Sequence, residues 1–268
     1  MRKLLRPIYF AGLDWIDWMQ RFHQGKLQLP PRSLRDVGGS DFEATGLEFV
    51  EHFKKLGRLK PHENILEIGC GSGRIAMPLA RYMAGQGHYW GAEIIEKSVR
   101  WCQKNITRRY PNFEFLHAEL YNKRYNPKAR HLAKDYVFPF SDRYFDFIYL
   151  TSVFTHVLPE DLENYVREIA RMLKPEGRVF STFFLLNQTQ ATLAKQGQNQ
   201  INFQFERGIY SIRNEEIPES AVAYQEDYLL ELWQGYGFVI QKPIIYGWWS
   251  GREDGLSLQD FMIATKRD

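Results

Sequence analysis

Glu67-Ile68-Gly69-Cys70-Gly71-Ser72-Gly73 closes a short apolar run, Asn64–Ile68, and leads into a helical stretch, Arg74–Met83. Glycines at alternate positions between a strand and a helix let a ligand come close to the backbone and aim the helix's free amides at it. The spacing is not the dinucleotide fingerprint, because Arg74 stands where G-x-G-x-x-G needs its third glycine. Glu67 draws the same distinction. A carboxylate just before the turn repels a pyrophosphate and suits a ligand carrying an ammonium and a sulfonium group.

Strand and helix patterns alternate outward from this turn. His88–Ile95 reads as a second strand, Glu96–Arg109 as a helix and Phe113–Leu116 as a third strand. Phe145–Leu150 follows as the fourth strand, Glu160–Leu173 as an amphipathic helix and Arg178–Leu186 as the fifth strand. Tyr224–Gly235 reads as a helix, with strands at Phe238–Tyr246 and Gln259–Lys266. This order predicts an α/β domain with a parallel sheet covered by helices on both faces. Two insertions interrupt it, 121–139 and 187–223, and the Gln/Asn-rich part Gln188–Gln204 reads as a solvated loop. Residues 1–58 read as an N-terminal helical cap or lid, and residues 59–268 as the ligand-binding domain. The cap holds helical stretches at Asp14–Gln24 and Asp41–Leu56. Trp15, Trp18, Met19 and Phe22 share one face of the first, which packs on the domain, lids a substrate or touches lipid.

The bulk properties are those of a globular protein. The 268 residues are 44% hydrophobic and 25% charged, with a net charge of +3 that gives no basic field for nucleic acid. Cys70 and Cys102 are too few for a disulfide framework and lack metal-ligand spacing, so they read as reduced thiols in a cytoplasmic protein with no metal. Met1–Phe10 is basic and then apolar like a leader, but Asp14 and Asp17 break the apolar stretch and no span suits a bilayer.

Two further acids fit the ligand inferred from the turn. Glu93 ends the second strand inside an apolar run, where a carboxylate can accept from both hydroxyls of a ribose. Glu119 follows the third strand, where it could accept from an adenine amino group while the Leu120 amide serves a ring nitrogen.

In this ordered set the chain resembles the class I S-adenosylmethionine-dependent methyltransferases, in a form similar to bacterial small-molecule enzymes. The matching residues are Glu67-x-Gly69-x-Gly71-x-Gly73, Glu93, Glu119, Phe145-Asp146-Phe147-Ile148 and Leu173-Lys174-Pro175-Glu176-Gly177-Arg178. The last segment resembles the family's LKPGG turn, with Glu176 in place of its first glycine. Ser152-Val153-Phe154-Thr155-His156 and Thr182-Phe183-Phe184-Leu185-Leu186-Asn187 are similar to a bacterial subgroup. The resemblance implies a three-layer, doubly wound, Rossmann-like sheet of seven strands with the last antiparallel. It implies that S-adenosyl-L-methionine binds and leaves as S-adenosyl-L-homocysteine, with Gly69, Cys70, Gly71, Gly73, Ile94 and Thr151 joining the acids at the site.

His156, just after the fourth strand, is the candidate general base, or else a residue packed beside the cofactor. His117 reads as structural, and His131 is an outside candidate. Trp248, Trp249 and Arg252, on the loop after the sixth strand, suit an acceptor's ring, sugar face or anionic group, or else pack on the second insertion. The expected reaction is in-line methyl transfer to a small-molecule oxygen nucleophile, a sugar or natural-product hydroxyl. The alternatives are a lipid acceptor at a membrane surface, a protein or nucleic acid, and a binder that does no chemistry.

Overall fold

A computed structural model describes residues 14–23, 25–26, 28–35 and 41–268. Met1–Phe10 and Gln24 lie outside them. The described chain opens with helix α1 (14–23), the single turn α2 (Arg32–Arg35) and α3 (Phe42–Lys55). Asp41 caps α3 by accepting from the amides of Glu43 and Ala44.

The sheet is built from β1 (Asn64–Ile68), β2 (His88–Glu93), β3 (Phe113–His117), β4 (Phe145–Leu150), β5 (Leu173–Phe183) and two late strands, β10 (Phe238–Ile240) and β11 (Asp260–Lys266). Its order is β10-β11-β5-β4-β1-β2-β3. β11 runs antiparallel between β5 and β10, while β1 to β5 pair in parallel. This is the expected seven-stranded, doubly wound arrangement with its last strand antiparallel.

The inner strands are apolar on both sides because helices cover both faces. Leu66 and Ile68 of β1, with Ile148 and Leu150 of β4, face a core shared with α6 (Pro159–Met172) and α8 (Glu226–Gly235). Ile65, Phe147 and Tyr149 face the opposite core, shared with α3, α4 (Ala76–Met83) and α5 (Glu96–Cys102). The predicted second helix is shorter than its apolar spacing suggested, since Gln103–Thr107 widens into a π turn.

The Lys174-Pro175-Glu176-Gly177 turn is a bulge inside β5. Phe145 pairs with Leu173, yet Phe147 pairs with Arg178. Glu176 sits at φ 60, the left-handed region that the family's glycine occupies without strain.

The Gln/Asn-rich part, Gln188–Gln204, is solvated along most of its length, but its first half is a helix rather than a loop. Asn187 caps α7 (Gln188–Lys195), accepting from the amide of Gln190. A small sheet follows, ordered β6-β9-β8-β7, from Leu185–Leu186, Val222–Gln225, Tyr210–Ile212 and Phe205–Glu206. Its Ile212, Val222 and Tyr224 are buried in the main core, and the Tyr224 hydroxyl donates to the Val157 carbonyl at 2.6 Å. The predicted fifth strand therefore divides between two sheets, and the predicted last helix loses Tyr224 to β9.

Candidate functional site

The carboxyl ends of β1, β2, β3 and β4 open into one cleft, about 1260 Å³ when the adjoining open solvent is included. Ligands in open α/β sheets bind at this edge. The cleft is lined by Glu67, Gly69, Cys70 and Gly71 from the first strand and turn, and by Glu93 and Ile94 from the second. Leu120, Thr151 and His156 line it from the third and fourth strands. Gly73 lies just behind; a Cβ there would meet Ile106 Cδ1 at 2.4 Å, so its glycine serves helix packing. Gly71, at φ 52, has nothing within 4 Å of a Cβ position and leaves bare backbone beside the open space.

Glu93 is buried at the end of β2. Its Oε2 accepts from the Gly71 amide at 2.7 Å and its Oε1 from the Ile95 amide at 2.8 Å. The carboxylate thus fastens the glycine turn to the start of α5. Burial raises its pKa, opposed by these backbone donors.

Glu67 lies opposite Tyr149 in the β1–β4 register. Its Oε2 accepts from the hydroxyls of Tyr89 at 2.5 Å and Tyr149 at 2.7 Å. Neither phenol uses Oε1. Burial pushes its carboxyl up to about 7, against the two phenol hydrogen bonds and the Arg74 charge.

His156 follows a strained corner. Ser152, at φ 58, donates its amide to Thr182 Oγ1 at 2.8 Å and its hydroxyl to Gln259 Oε1 at 3.0 Å. The two segments that resemble a bacterial subgroup therefore meet here. His156 Nδ1 lies 2.8 Å from the Glu219 carbonyl oxygen, an acceptor only, so Nδ1 carries the proton. Nε2 is then the basic nitrogen. Burial lowers the imidazole pKa below its ordinary value. Glu219 belongs to the second insertion, which reaches the site through this carbonyl.

Glu119 and the tryptophan loop are placed elsewhere. The Glu119 side chain is exposed and outside the lining, and the Leu120 amide donates to the Ala118 carbonyl at 2.7 Å. Trp248, Trp249 and Arg252 do not line the cleft. Trp249 is fully buried against Phe184 and Phe203, and its Nε1 donates to Asp260 Oδ2 at 2.8 Å. Burial pushes Asp260 up to about 7. The Arg252 guanidinium lies 4.0 Å from the Tyr246 ring centre, and Trp248 is partly exposed. The loop holds the second insertion, because the Gln200 amide donates to the Trp249 carbonyl at 2.8 Å. His117 Nε2 lies 3.2 Å from the Ile94 carbonyl oxygen, and His131 is exposed.

Other residues of the lining were missed in the sequence. Arg74 counted there only as an absent glycine, yet it faces the cleft with Glu67 nearby. Asn122 and Tyr125 of the first insertion and Asp161 of α6 line the same space. Helices α2 and α3 contribute Leu34, Arg35 and Phe42, and Ser72 Oγ ties the glycine turn to the Leu34 carbonyl at 2.8 Å. Asn122 and Tyr125 fall in an insertion already flagged and Leu34, Arg35 and Phe42 in the expected cap, but no spacing rule marks any of these residues individually.

Residues 65–177 match the family described as a methyltransferase domain. That match marks a methyltransferase domain within the chain. A demethylmenaquinone methyltransferase from Lactobacillus johnsonii is 30% identical over 127 residues. That match covers 47% of this chain and 46% of the relative, so the chain spans about half of its length. Among solved structures, a SAM-dependent methyltransferase from Methanosarcina mazei superposes with a TM-score of 0.53 at 22% identity, covering 79% of this chain and 95% of that one. The 1,6-didemethyltoxoflavin-N1-methyltransferase of Burkholderia thailandensis, with 1,6-didemethyltoxoflavin and S-adenosylhomocysteine bound, gives 0.53 at 17% identity, covering 98% and 91%. These likenesses establish the methyltransferase fold. No described helix is long and apolar enough to cross a membrane.

Proposed function

We propose that the protein transfers a methyl group from S-adenosylmethionine to a hydroxyl of a small molecule, a sugar or a natural-product intermediate, and releases S-adenosylhomocysteine. The observation that carries this reading is the pair of buried carboxylates, Glu67 and Glu93, set around a bare glycine turn. A carboxylate offers about four lone-pair positions. Glu93 uses two on Gly71 and Ile95, and the other two match a ribose diol. Glu67 places negative charge beside the turn, where it suits the ammonium of the methionine end. Arg74 and Arg35, the cations of the lining, suit the carboxylate of that end. Ala118, Leu120 and Phe138 offer an apolar slot for adenine. The relative that methylates demethylmenaquinone and the neighbour holding S-adenosylhomocysteine support the assignment.

When bound, the sulfonium supplies an already activated methyl group. The chain's work is alignment, worth roughly 7–11 kcal/mol in favourable cases, and proton removal. His156 holds a basic Nε2, oriented through Nδ1, and takes the proton of the acceptor hydroxyl as the methyl–oxygen bond forms. Asn122, Tyr125 and Asp161 wall the acceptor side. Both cysteines are free and buried, which suits a reducing compartment, and we place the enzyme in the cytoplasm.

Calorimetry with S-adenosylmethionine and S-adenosylhomocysteine tests the reading. Binding of both is expected, and binding of neither would sink it. A His156→Ala protein that binds the cofactor and turns over at the full rate would remove the base while leaving the binding site intact.

A further inference from the structure

Helix α1 is turned inside out. A helix on a globular surface buries its apolar stripe and shows its charges to water. Here the buried stripe is ionic. Asp17 and Arg21 lie inside, with Arg21 Nε donating to Asp17 Oδ2 at 2.7 Å and Arg21 Nη1 to the Leu29 carbonyl at 2.6 Å. Asp17 also accepts from the Arg32 amide at 3.1 Å and pairs with Arg35, which knots α1 to α2. Asp14 adds the Ser33 amide and hydroxyl at 3.0 and 2.6 Å.

The outward stripe is apolar. Trp15 is 64% exposed, Ile16 51%, Trp18 44% and Phe22 56%, and the rings of Trp18 and Phe22 stack at 5.6 Å. Four large apolar side chains on three turns, each around half exposed, are more than scattered surface residues.

The charge of this end of the chain says what covers them. Residues 1–35 hold seven Lys and Arg against two Asp, while residues 36–268 carry a small net negative charge. Arg21 and Arg35 share the single carboxylate of Asp17, which offsets one of their two charges. Arg2, Lys3, Arg6 and Arg32 bring further positive charge to the same end. Exposed aromatic side chains on a helix that lies in the basic end of the sequence suit the interface of an anionic bilayer.

We propose that α1 docks on anionic lipid membranes, lying in the plane of the interface with Trp15, Trp18 and Phe22 at the level of the headgroups. This surface stands independently of the chemistry proposed for the cleft. The docked helix holds the cleft close to the bilayer, because Leu34 and Arg35 of α2 line it. The knot at Asp17 makes the α1–α2 pair a single piece.

The test is co-sedimentation of the full chain with vesicles of phosphatidylcholine alone and of phosphatidylcholine mixed equally with phosphatidylglycerol. The chain should pellet with the anionic vesicles and, in salt-dependent fashion, much less with the neutral ones. W15S/W18S/F22S, which removes only exposed side chains, should weaken binding by roughly tenfold or more at an unchanged thermal midpoint. R2E/K3E/R6E should abolish the preference for anionic vesicles. Failure of the intact chain to pellet with either vesicle, or undiminished binding by W15S/W18S/F22S, would overturn the proposal. So would sedimentation velocity showing a lipid-free dimer that the same triple substitution dissociates, since the face would then belong to a second copy.

Discussion

Glu67→Gln should make the protein more stable at pH 8 and barely change it near pH 4.5. Glu67 is fully buried, and its carboxyl is pushed up to about 7 from an ordinary value of 4.5. Below pH 4.5 the group is protonated in the folded and unfolded chains alike, so its ionisation costs nothing. Between 4.5 and about 7 the unfolded chain gives up a proton that the folded chain keeps, and stability falls as pH rises. Above about 7 both are ionised and the loss is complete. Roughly 2.5 pH units at about 1.36 kcal/mol each make it about 3 kcal/mol. Glutamine cannot ionise, and its carbonyl oxygen can accept from Tyr89 and Tyr149 as Oε2 does. Any fixed cost of the amide is the same at each pH. Urea unfolding of both proteins at pH 5 and pH 8 isolates the ionisation, because all other titrations cancel between them. The difference in stability should shift in favour of glutamine by roughly 2–3 kcal/mol between the two pH values. A shift within about 0.5 kcal/mol of zero would refute the argument that desolvation governs this carboxyl.

Glu93→Ala should weaken S-adenosylhomocysteine binding by roughly a hundredfold or more in calorimetry, since two hydrogen bonds to a charged group are lost at about 1.5–3 kcal/mol each. His156→Ala should lower turnover by roughly 10²–10⁴-fold and leave cofactor affinity unchanged. In the unsubstituted enzyme the acid limb of the pH–rate profile should lie below pH 6.5, because burial lowers the imidazole pKa, and the substitution should erase that limb. Glu176→Gly should stabilise the protein by about 0.5–1 kcal/mol, the relief of a left-handed residue less the backbone entropy of glycine. Glu176 is exposed, so an unchanged or lower urea midpoint would show that the bulge holds no strain.

The sheet was legible because its strands follow simple periods. β1 and β4 are apolar runs at the bounds expected, and the turn after β1 carries its glycines where the backbone enters the left-handed region at Gly69, Gly71 and Gly73. Glu93 stood out for a similar local reason, as a charge inside an apolar run. What escaped was set by partners distant in sequence. Trp249 looks like an exposed aromatic until Asp260, eleven residues on, accepts a hydrogen bond from its indole N–H inside a cluster with Phe184 and Phe203. The Gln/Asn-rich stretch has no apolar period of its own, yet the Asn187 cap and contacts with Trp249 order it. Glu119 occupies a plausible position, but the tight turn from Ala118 to Leu120 leaves its side chain in solvent.

The two buried carboxylates divide the site's labour through their surroundings. Glu93 receives backbone amides, fixed donors that move only if the turn moves. It is therefore a strut as well as the ribose-binding group of the proposed function, and removing it should loosen Gly71 even without a cofactor. Glu67 receives phenols on one oxygen, keeps the other uncommitted to them and carries a high pKa. Its ionised form is costly until a cation comes close, so under the proposed function a cofactor ammonium would favour ionisation, and binding near pH 7 would release a proton. Under the proposed function the acceptor side follows a different logic. His156 owes its tautomer to the Glu219 carbonyl, a backbone group supplied by an insertion. On that reading the donor half of the cleft is written in the strands that make the fold, and the acceptor half draws on insertions as well as on α6.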